Sequence, residues 1–321
     1  MRALVTTLRD DGTREKILVD DWPDPGPHSG NQVRTRTLYS GITNGTERND
    51  PIGGNYAHPD EALPAGWGYQ NVGEVIQVGP DVRELKIGDL LYMSQDHLEF
   101  CLESEDGLHI ELPEEVNLKE AALFGMAGVA MRSCRNADLR MGDKLLIVGA
   151  GFIGQTAAQI ANHMGAQVTL CDIDERRLAV AREIGAAEEV FDVTGDRRWK
   201  QHIPDASFRA VLDLAGVPGM EDKLIWAAER RGTVVFIAGR FKVEYTFFHP
   251  GQIREITIKQ NSHFDKTDLH NVCRLLRRGL LSIAPLIQDV LPVSEAKRVY
   301  DTLRDEPSKL FGTIFEWRQM K

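Results

Sequence analysis

The stretch LLIVGAGFIGQTAAQIANHMGAQVTLCD, residues 145–172, decides the fold. Leu145 to Val148 form a continuous apolar run, the pattern of a strand buried on both faces. Gly149, Gly151 and Gly154 follow as G-x-G-x-x-G. Ile153, Ala157, Ile160, Ala161 and Met164 then recur at helical spacing, and Gly165 can end that helix. A second strand closes at Asp172, 23 residues after Gly149. The first glycine permits a tight turn, the second lets backbone approach a pyrophosphate, and the third lets helix pack close on strand. The helix start adds free N–H groups and the positive end of its dipole. A carboxylate at Asp172 hydrogen-bonds ribose hydroxyls and repels a 2′-phosphate, so the stretch predicts NAD in preference to NADP. Arg176 and Arg177 follow closely and soften that preference, although residues in a first helical turn are ordinarily solvated. The dinucleotide site is assigned to Gly149, Gly151, Phe152, Ile153, Gly154, Asp172, Ile173 and Arg177. Ala215 and Gly216, ending RAVLDLAG, and Ala238 and Gly239, ending TVVFIAG, complete it.

From residue 118 to 264 strand and helix patterns alternate: KLLIVGAG, QVTLCD, DERRLAVAREIG, AAEEVFD, RAVLDLAG, EDKLIWAAERRG, TVVFIAG and EITIKQ. That alternation predicts a doubly wound α/β, or Rossmann, domain. Residues 1–117 have another texture. Short strand patterns such as RALVTTL, QVRTRTLYSGI, NVGEVIQVG and DLLYMS are separated by turn-rich segments, which predicts a compact β-rich domain. Residues 44–66 read as one long loop with little periodicity. After residue 264 come two helix patterns, TDLHNVCRLLRRGLL and SEAKRVYDTLRD, and a closing strand, LFGTIFEW.

The chain of 321 residues carries a net charge of −10, against the concentrated basic face that nucleic acid requires. No apolar run approaches the roughly 18 residues of a membrane span, and the charged start MRALVTTLRDDG does not read as a secretory signal. Cys101, Cys134, Cys171 and Cys273 are scattered with no C-x-x-C pair, which predicts free thiols in a reducing cytoplasm.

In order and content these segments resemble the medium-chain dehydrogenase/reductase family. SGITNGTE is similar to its early substrate-side segment, GYQNVGEVIQVG to its G-H-E-x-x-G-x-V-x-x-V-G segment, and LRMGDKLLIVGAGFIG and DIDERRLAVAREIGA to its nucleotide half. The resemblance implies a GroES-like β-rich catalytic domain, residues 1–117 with 265–321 returning to it, around a Rossmann domain at 118–264. It implies a cytoplasmic homodimer, joined through an edge strand in TVVFIAG or KVEYTFF. The departures concern zinc. Where zinc-dependent members hold histidine then glutamate, this chain has Tyr69 and Gln70. The cysteine place falls on Thr43 or Asn44, and the third ligand place near Leu123. The lobe for a structural zinc is missing from GDLLYMSQDHLEFCLES. Zinc takes four N, S or carboxylate ligands, so the expectation is no metal. GTE and DHLEF further resemble a zinc-lacking branch that includes bacteriochlorophyllide dehydrogenase-like proteins.

Without zinc, alcohol oxidation needs an organic proton acceptor. The candidates are Thr46, whose place matches a proton-relaying hydroxyl; Tyr69, expected to face the nicotinamide; Glu47, as base or as a group orienting Tyr69; and His97, with a suitable intrinsic pKa. Each has a structural alternative: a helix cap for Thr46 and Glu47, a packed aromatic for Tyr69, a half-exposed strand residue for His97. Trp67 reads as apolar wall and His58 as a loop residue. The expected chemistry is hydride exchange between NAD and a small molecule, a secondary alcohol or ketone. The alternatives are an NAD(P)H-dependent enone or quinone reductase and a nucleotide-sensing protein without turnover.

Overall fold

The computed structural model describes residues 1–54 and 62–318. It comprises two compact units: Met1–Gly125 with Asp265–Arg277 and Ile287–Lys321, and Met126–Phe264 with Arg278–Leu286. The first unit runs through β1 (Ala3–Leu8), β2 (Arg14–Val19), β3 (Gln32–Gly41), α1 (Asn44–Ile52), β4 (Ala65–Gly66), β5 (Asn71–Val78), β6 (Leu90–Met93), β7 (Phe100–Ser104), β8 (His109–Glu111) and α2 (Leu118–Ala121). Helix α3 (Phe124–Asn136) carries the chain onward. The second unit alternates β9 (Lys144–Val148), α4 (Phe152–His163), β10 (Gln167–Asp172), α5 (Glu175–Glu183), β11 (Glu189–Asp192), α6 (Gly195–His202), β12 (Phe208–Asp213), α7 (Glu221–Ala227), β13 (Ala228–Phe236) and β14 (Thr257–Gln260). Helix α8 (Lys266–Arg277), β15 (Asp289–Pro292), α9 (Ala296–Asp305) and β16 (Thr313–Glu316) belong to the first unit again.

In the first unit a small sheet of order β2-β1-β4 accompanies a larger one of order β15-β16-β3-β5-β6-β8, with β7 also on β3. β3 shows why it sits centrally. Val33, Thr35 and Thr37 are buried while Arg36 is exposed, the alternation of a strand with one wet face. A register irregularity between Thr37 and Tyr39 shifts the phase, so Leu38 is buried too. The late strand β16 pairs antiparallel with β3, Ile314 opposite Gly41. Val299, Tyr300 and Leu303 of α9 pack with Leu4, Ile42, Phe315 and Trp317.

The second unit is an all-parallel sheet of order β11-β10-β9-β12-β13-β14. The order reverses between β9 and β12, the switch point at which such sheets bind ligands beyond their carboxyl ends. Leu145, Leu146 and Ile147 of β9 are fully buried, as their apolar run requires. Two sequence expectations are corrected. β13, which contains most of TVVFIAG, is paired on both sides, and residues 242–248 form no strand, so the edge on that side is β14. Residues 44–66 are not one loop, because α1 occupies Asn44–Ile52; His58 lies outside the described residues.

Candidate active site

In the first unit the chemistry-bearing residues gather around α1. This helix has little apolar content, NGTERNDPI, and buries two acids instead: Glu47 and Asp50. Spaced i, i+3, they share one helical face. Opposite stand Arg14 and Lys16 of β2, whose i, i+2 spacing puts them on one side of that strand. Arg14 Nη1 donates to Asp50 Oδ1 at 2.5 Å, and the Thr6 hydroxyl donates to the other carboxylate oxygen. Lys16 Nζ lies 4.0 Å from Glu47 Oε2, among the rings of Trp67 and Tyr300. Buried charges persist only when paired and hydrogen-bonded, and here two acids meet two bases across the helix–strand seam.

Glu47 is the hub. It accepts the Thr43 N–H at 2.7 Å and the Tyr300 hydroxyl at 2.5 Å, and it pairs with His97 Nε2 at 3.1 Å. Burial pushes its carboxyl up, but the His97 ring, Lys16 and the Thr43 N–H outweigh that and hold it below the ordinary value. Burial, then the neighbouring carboxylate, holds the Tyr300 phenol well above its usual range, so Tyr300 stays a donor. The partner hydroxyl of Glu47 is therefore that of Tyr300, a residue the sequence reading did not single out. His97 is fully buried rather than half-exposed, and its Nδ1 has no hydrogen-bond partner among the described residues. Thr46 is half-buried on the first turn of α1, about 100° around the helix from Glu47.

Tyr69 is half-buried and positioned through its backbone. Gly68 has φ +135°, and a Cβ there would stand 2.7 Å from His97 Cδ2, so the strap before Tyr69 rests on the imidazole. The Trp67 carbonyl accepts the His97 N–H at 3.2 Å. The Tyr69 carbonyl accepts the Tyr92 hydroxyl at 2.8 Å. Next to it, Gln70 Nε2 donates to the Gly41 carbonyl at 3.2 Å and the Thr43 hydroxyl at 3.0 Å. The segments carrying Thr43, Tyr69 and His97 are thus stitched together by amide, hydroxyl and carboxylate groups. At the three places where the resemblance expects zinc ligands stand a hydroxyl or amide, a phenol and the aliphatic, fully buried Leu123. That donor set does not fit a tetrahedral zinc ion. Among the described residues no group of three or more His, Cys, Asp or Glu is placed to hold a metal.

In the second unit the glycine-rich turn connects β9 to α4. Gly149 has φ +111°, a backbone that side chains rarely adopt, and a Cβ on Gly154 would lie 1.9 Å from the Gly149 carbonyl oxygen. A Cβ on Gly151 would meet nothing within 4 Å. Gly151 caps α4, so the first N–H groups of that helix open from this turn. Asp172 ends β10. Its carboxylate accepts the N–H of Ala150 at 2.6 Å, of Ile173 at 2.6 Å and of Asp174 at 2.9 Å. It fastens the turn from the end of the next strand. Gln155 grips the same turn from the other side, donating to the carbonyls of Ala150 at 3.0 Å and Arg177 at 2.9 Å. Arg177 is half-buried, 3.9 Å from the Asp172 carboxylate, whereas Arg176 is turned outward onto Asp174. Phe152 is buried and Ile153 half-buried on α4, and Ile173 is exposed. Ala215–Gly216 and Ala238–Gly239 follow β12 and β13, and a Cβ on Gly216 would stand 2.8 Å from that of Ala238. The expected cofactor residues therefore border one carboxyl edge of the sheet. A glycine-rich turn with room beside Gly151, a helix start and an acid at the next strand end are the features a dinucleotide site requires.

The comparisons with known proteins bear on kinship and fold. A family model described as zinc-binding dehydrogenase matches residues 153–278. The 2-desacetyl-2-hydroxyethyl bacteriochlorophyllide A dehydrogenase of Rhodobacter capsulatus is 27% identical over 315 residues, covering 93% of either chain. Sorbitol dehydrogenase of Rattus norvegicus is 25% identical over 283 residues, 74% of this chain and 76% of that one. The chain is an enzyme, and it is similar to medium-chain dehydrogenases/reductases. Among solved structures, 2R,3R-butanediol dehydrogenase from Bacillus subtilis shares the fold of this chain with a TM-score of 0.83 at 20% identity, covering 99% of this chain and 100% of that one. The zinc-binding model covers residues 153–278 and leaves Thr43 and Tyr69 outside.

Proposed function

We propose that this enzyme is a zinc-independent, NAD-dependent oxidoreductase that exchanges a hydride with a secondary alcohol or ketone. The hydrogen bond from Gln70 to Thr43 carries the reading. It joins two segments at which zinc-dependent relatives would be expected to place metal ligands, and it does so with an amide and a hydroxyl. Asp172 supports NAD, since a carboxylate at that strand end favours ribose hydroxyls and disfavours a 2′-phosphate. When bound, the nicotinamide supplies the hydride acceptor or donor.

The chain's own residues handle the proton and the placement. Tyr69 and Thr46 are the hydroxyls assigned to the substrate oxygen, and Glu47 and His97 form the buried pair behind them. An ionised Glu47 keeps His97 and Tyr300 oriented, and the Gly68 strap seated on His97 keeps Tyr69 in place. Residues 1–117 with 265–321 are assigned to substrate and residues 118–264 to nucleotide. Relatives that are dehydrogenases of hydroxylated compounds favour the alcohol/ketone class. The enzyme is further proposed to work in the cytoplasm as a homodimer. Phe241, Tyr245, Phe247 and Phe248, exposed between β13 and β14, would be covered by a second copy.

The test is a screen of secondary alcohols and polyols with NAD or NADP, before and after dialysis against a chelator, together with metal analysis. NAD-linked oxidation that survives the chelator is the expected result, with Tyr69→Phe lowering kcat/KM about 100-fold. Stoichiometric zinc whose removal abolishes turnover would overturn zinc independence. NADPH-linked consumption of enones would replace the alcohol reading, and tight nucleotide binding without turnover would replace both.

A further inference from the structure

One buried ionic cluster in the second unit lies outside the assignments above. Arg240, just after β13, has a guanidinium only 5% exposed. It donates through Nη2 to Asp213 and through Nη1 to Glu221 at 2.6 Å, with carboxylates 2% and 4% exposed. Its Cζ lies 5.3 Å from the Phe236 ring centroid, and its Nε is buried without a partner among the described residues. Asp213 is the last residue of β12 and Glu221 the first of α7. The two acids therefore flank the connection 214–220, and one planar fork holds both flanks. Asp213 also reaches inward: its side chain accepts the Gly216 N–H at 3.1 Å, and its carbonyl accepts the N–H groups of Ile237 and Ala238 at 3.1 Å each. Leu214 N–H binds the Val148 carbonyl at 2.9 Å, and a Cβ on Gly149 would stand 3.0 Å from the Ala215 nitrogen. Three strand-end turns thus meet around a segment whose ends are closed by Arg240.

We infer that Arg240, with Asp213 and Glu221, is a positioning clamp for the nicotinamide half of the dinucleotide, holding the turns of Ala215–Gly216 and Ala238–Gly239 in register at the carboxyl edge of the sheet. The inference rests on the nucleotide reading given above. The geometry demands arginine. A lysine is a point charge and cannot bridge two carboxylates in fixed fork geometry. The Asp172 side of the site has its own fastenings through Ala150, Gln155 and Arg177, none of which involves Arg240. The two halves of a bound dinucleotide should therefore respond differently when the clamp is weakened.

Calorimetric titration of wild type, Arg240→Lys and Glu221→Gln with NAD⁺ and separately with AMP tests this. Both variants keep a partly paired cluster, and their melting curves are recorded alongside. The expected result is a loss of about tenfold in NAD⁺ affinity with AMP affinity unchanged, because AMP uses only the adenosine side. Equal losses for NAD⁺ and AMP would mean a general structural role and overturn the clamp, as would unchanged NAD⁺ affinity in both variants. Failure of the wild type to bind either nucleotide would sink the nucleotide reading itself, and the clamp with it.

Discussion

At the scale of single residues, the glycines separate folding from binding. Gly154 and Gly151 stand three positions apart in one motif, yet a Cβ on the first collides with the Gly149 carbonyl oxygen and on the second meets open space. Gly154→Ala should therefore destabilise the fold by about 2 kcal/mol or more, read as a lowered Tm. Gly151→Ala should melt like wild type and lose NAD⁺ affinity, because the added methyl occupies the approach to the pyrophosphate. Gly68→Ala belongs with the first case. Its φ of +135° and the His97 ring 2.7 Å from the added carbon predict a cost of about 2 kcal/mol and, through the displaced Tyr69, a fall in kcat beyond what the Tm explains. The turn at Gly149 and the close packing at Gly154 were legible in the sequence because the spacing of the motif encodes them. The role of Gly68 was not, since it depends on a histidine 29 positions later.

At the scale of elements, α1 shows what periodicity misses. An apolar stripe announces a helix, but α1 turns Glu47 and Asp50 inward to Lys16 and Arg14 and presents no such stripe. A pattern of acids at i, i+3 facing bases at i, i+2 can be recognised only once the two elements are known to meet. The pairing predicts a pH dependence. Glu47 is held below its ordinary value of 4.5 in the folded chain. A group so lowered stabilises fully above its unfolded value and loses that contribution as pH falls through the folded value. Glu47→Gln, which leaves Lys16 beside a neutral amide, should cost about 3 kcal/mol at neutral pH. The gap from wild type in urea denaturation should narrow below pH 4.5. A gap constant across pH would show that Glu47 acts through packing alone.

At the scale of the whole molecule, strand and helix alternation made the doubly wound unit legible, because buried parallel strands are apolar throughout and must be separated by helices. The organisation of the candidate site was less so. Tyr300 and Lys16 join Glu47 from sequence positions far apart, Arg240 reaches back to Asp213 and Glu221, and no local pattern carries such pairings. The exposed aromatics at 241–248 support one more prediction. If they meet a second copy, Phe241→Ser with Phe248→Ser should shift sedimentation toward monomer while leaving Tm at low protein concentration nearly unchanged. The position of β16 has a consequence in time. It pairs with β3, and Tyr300 reaches Glu47 from the same late segment, so the first unit is completed by residues made after the whole of the second unit. The second unit has all its residues once Leu286 has emerged. Nascent enzyme therefore passes through an interval in which the dinucleotide half can assemble while Glu47 still awaits the hydroxyl that completes its shell, and pulsed hydrogen exchange on translating chains should find β9–β14 protected before β3.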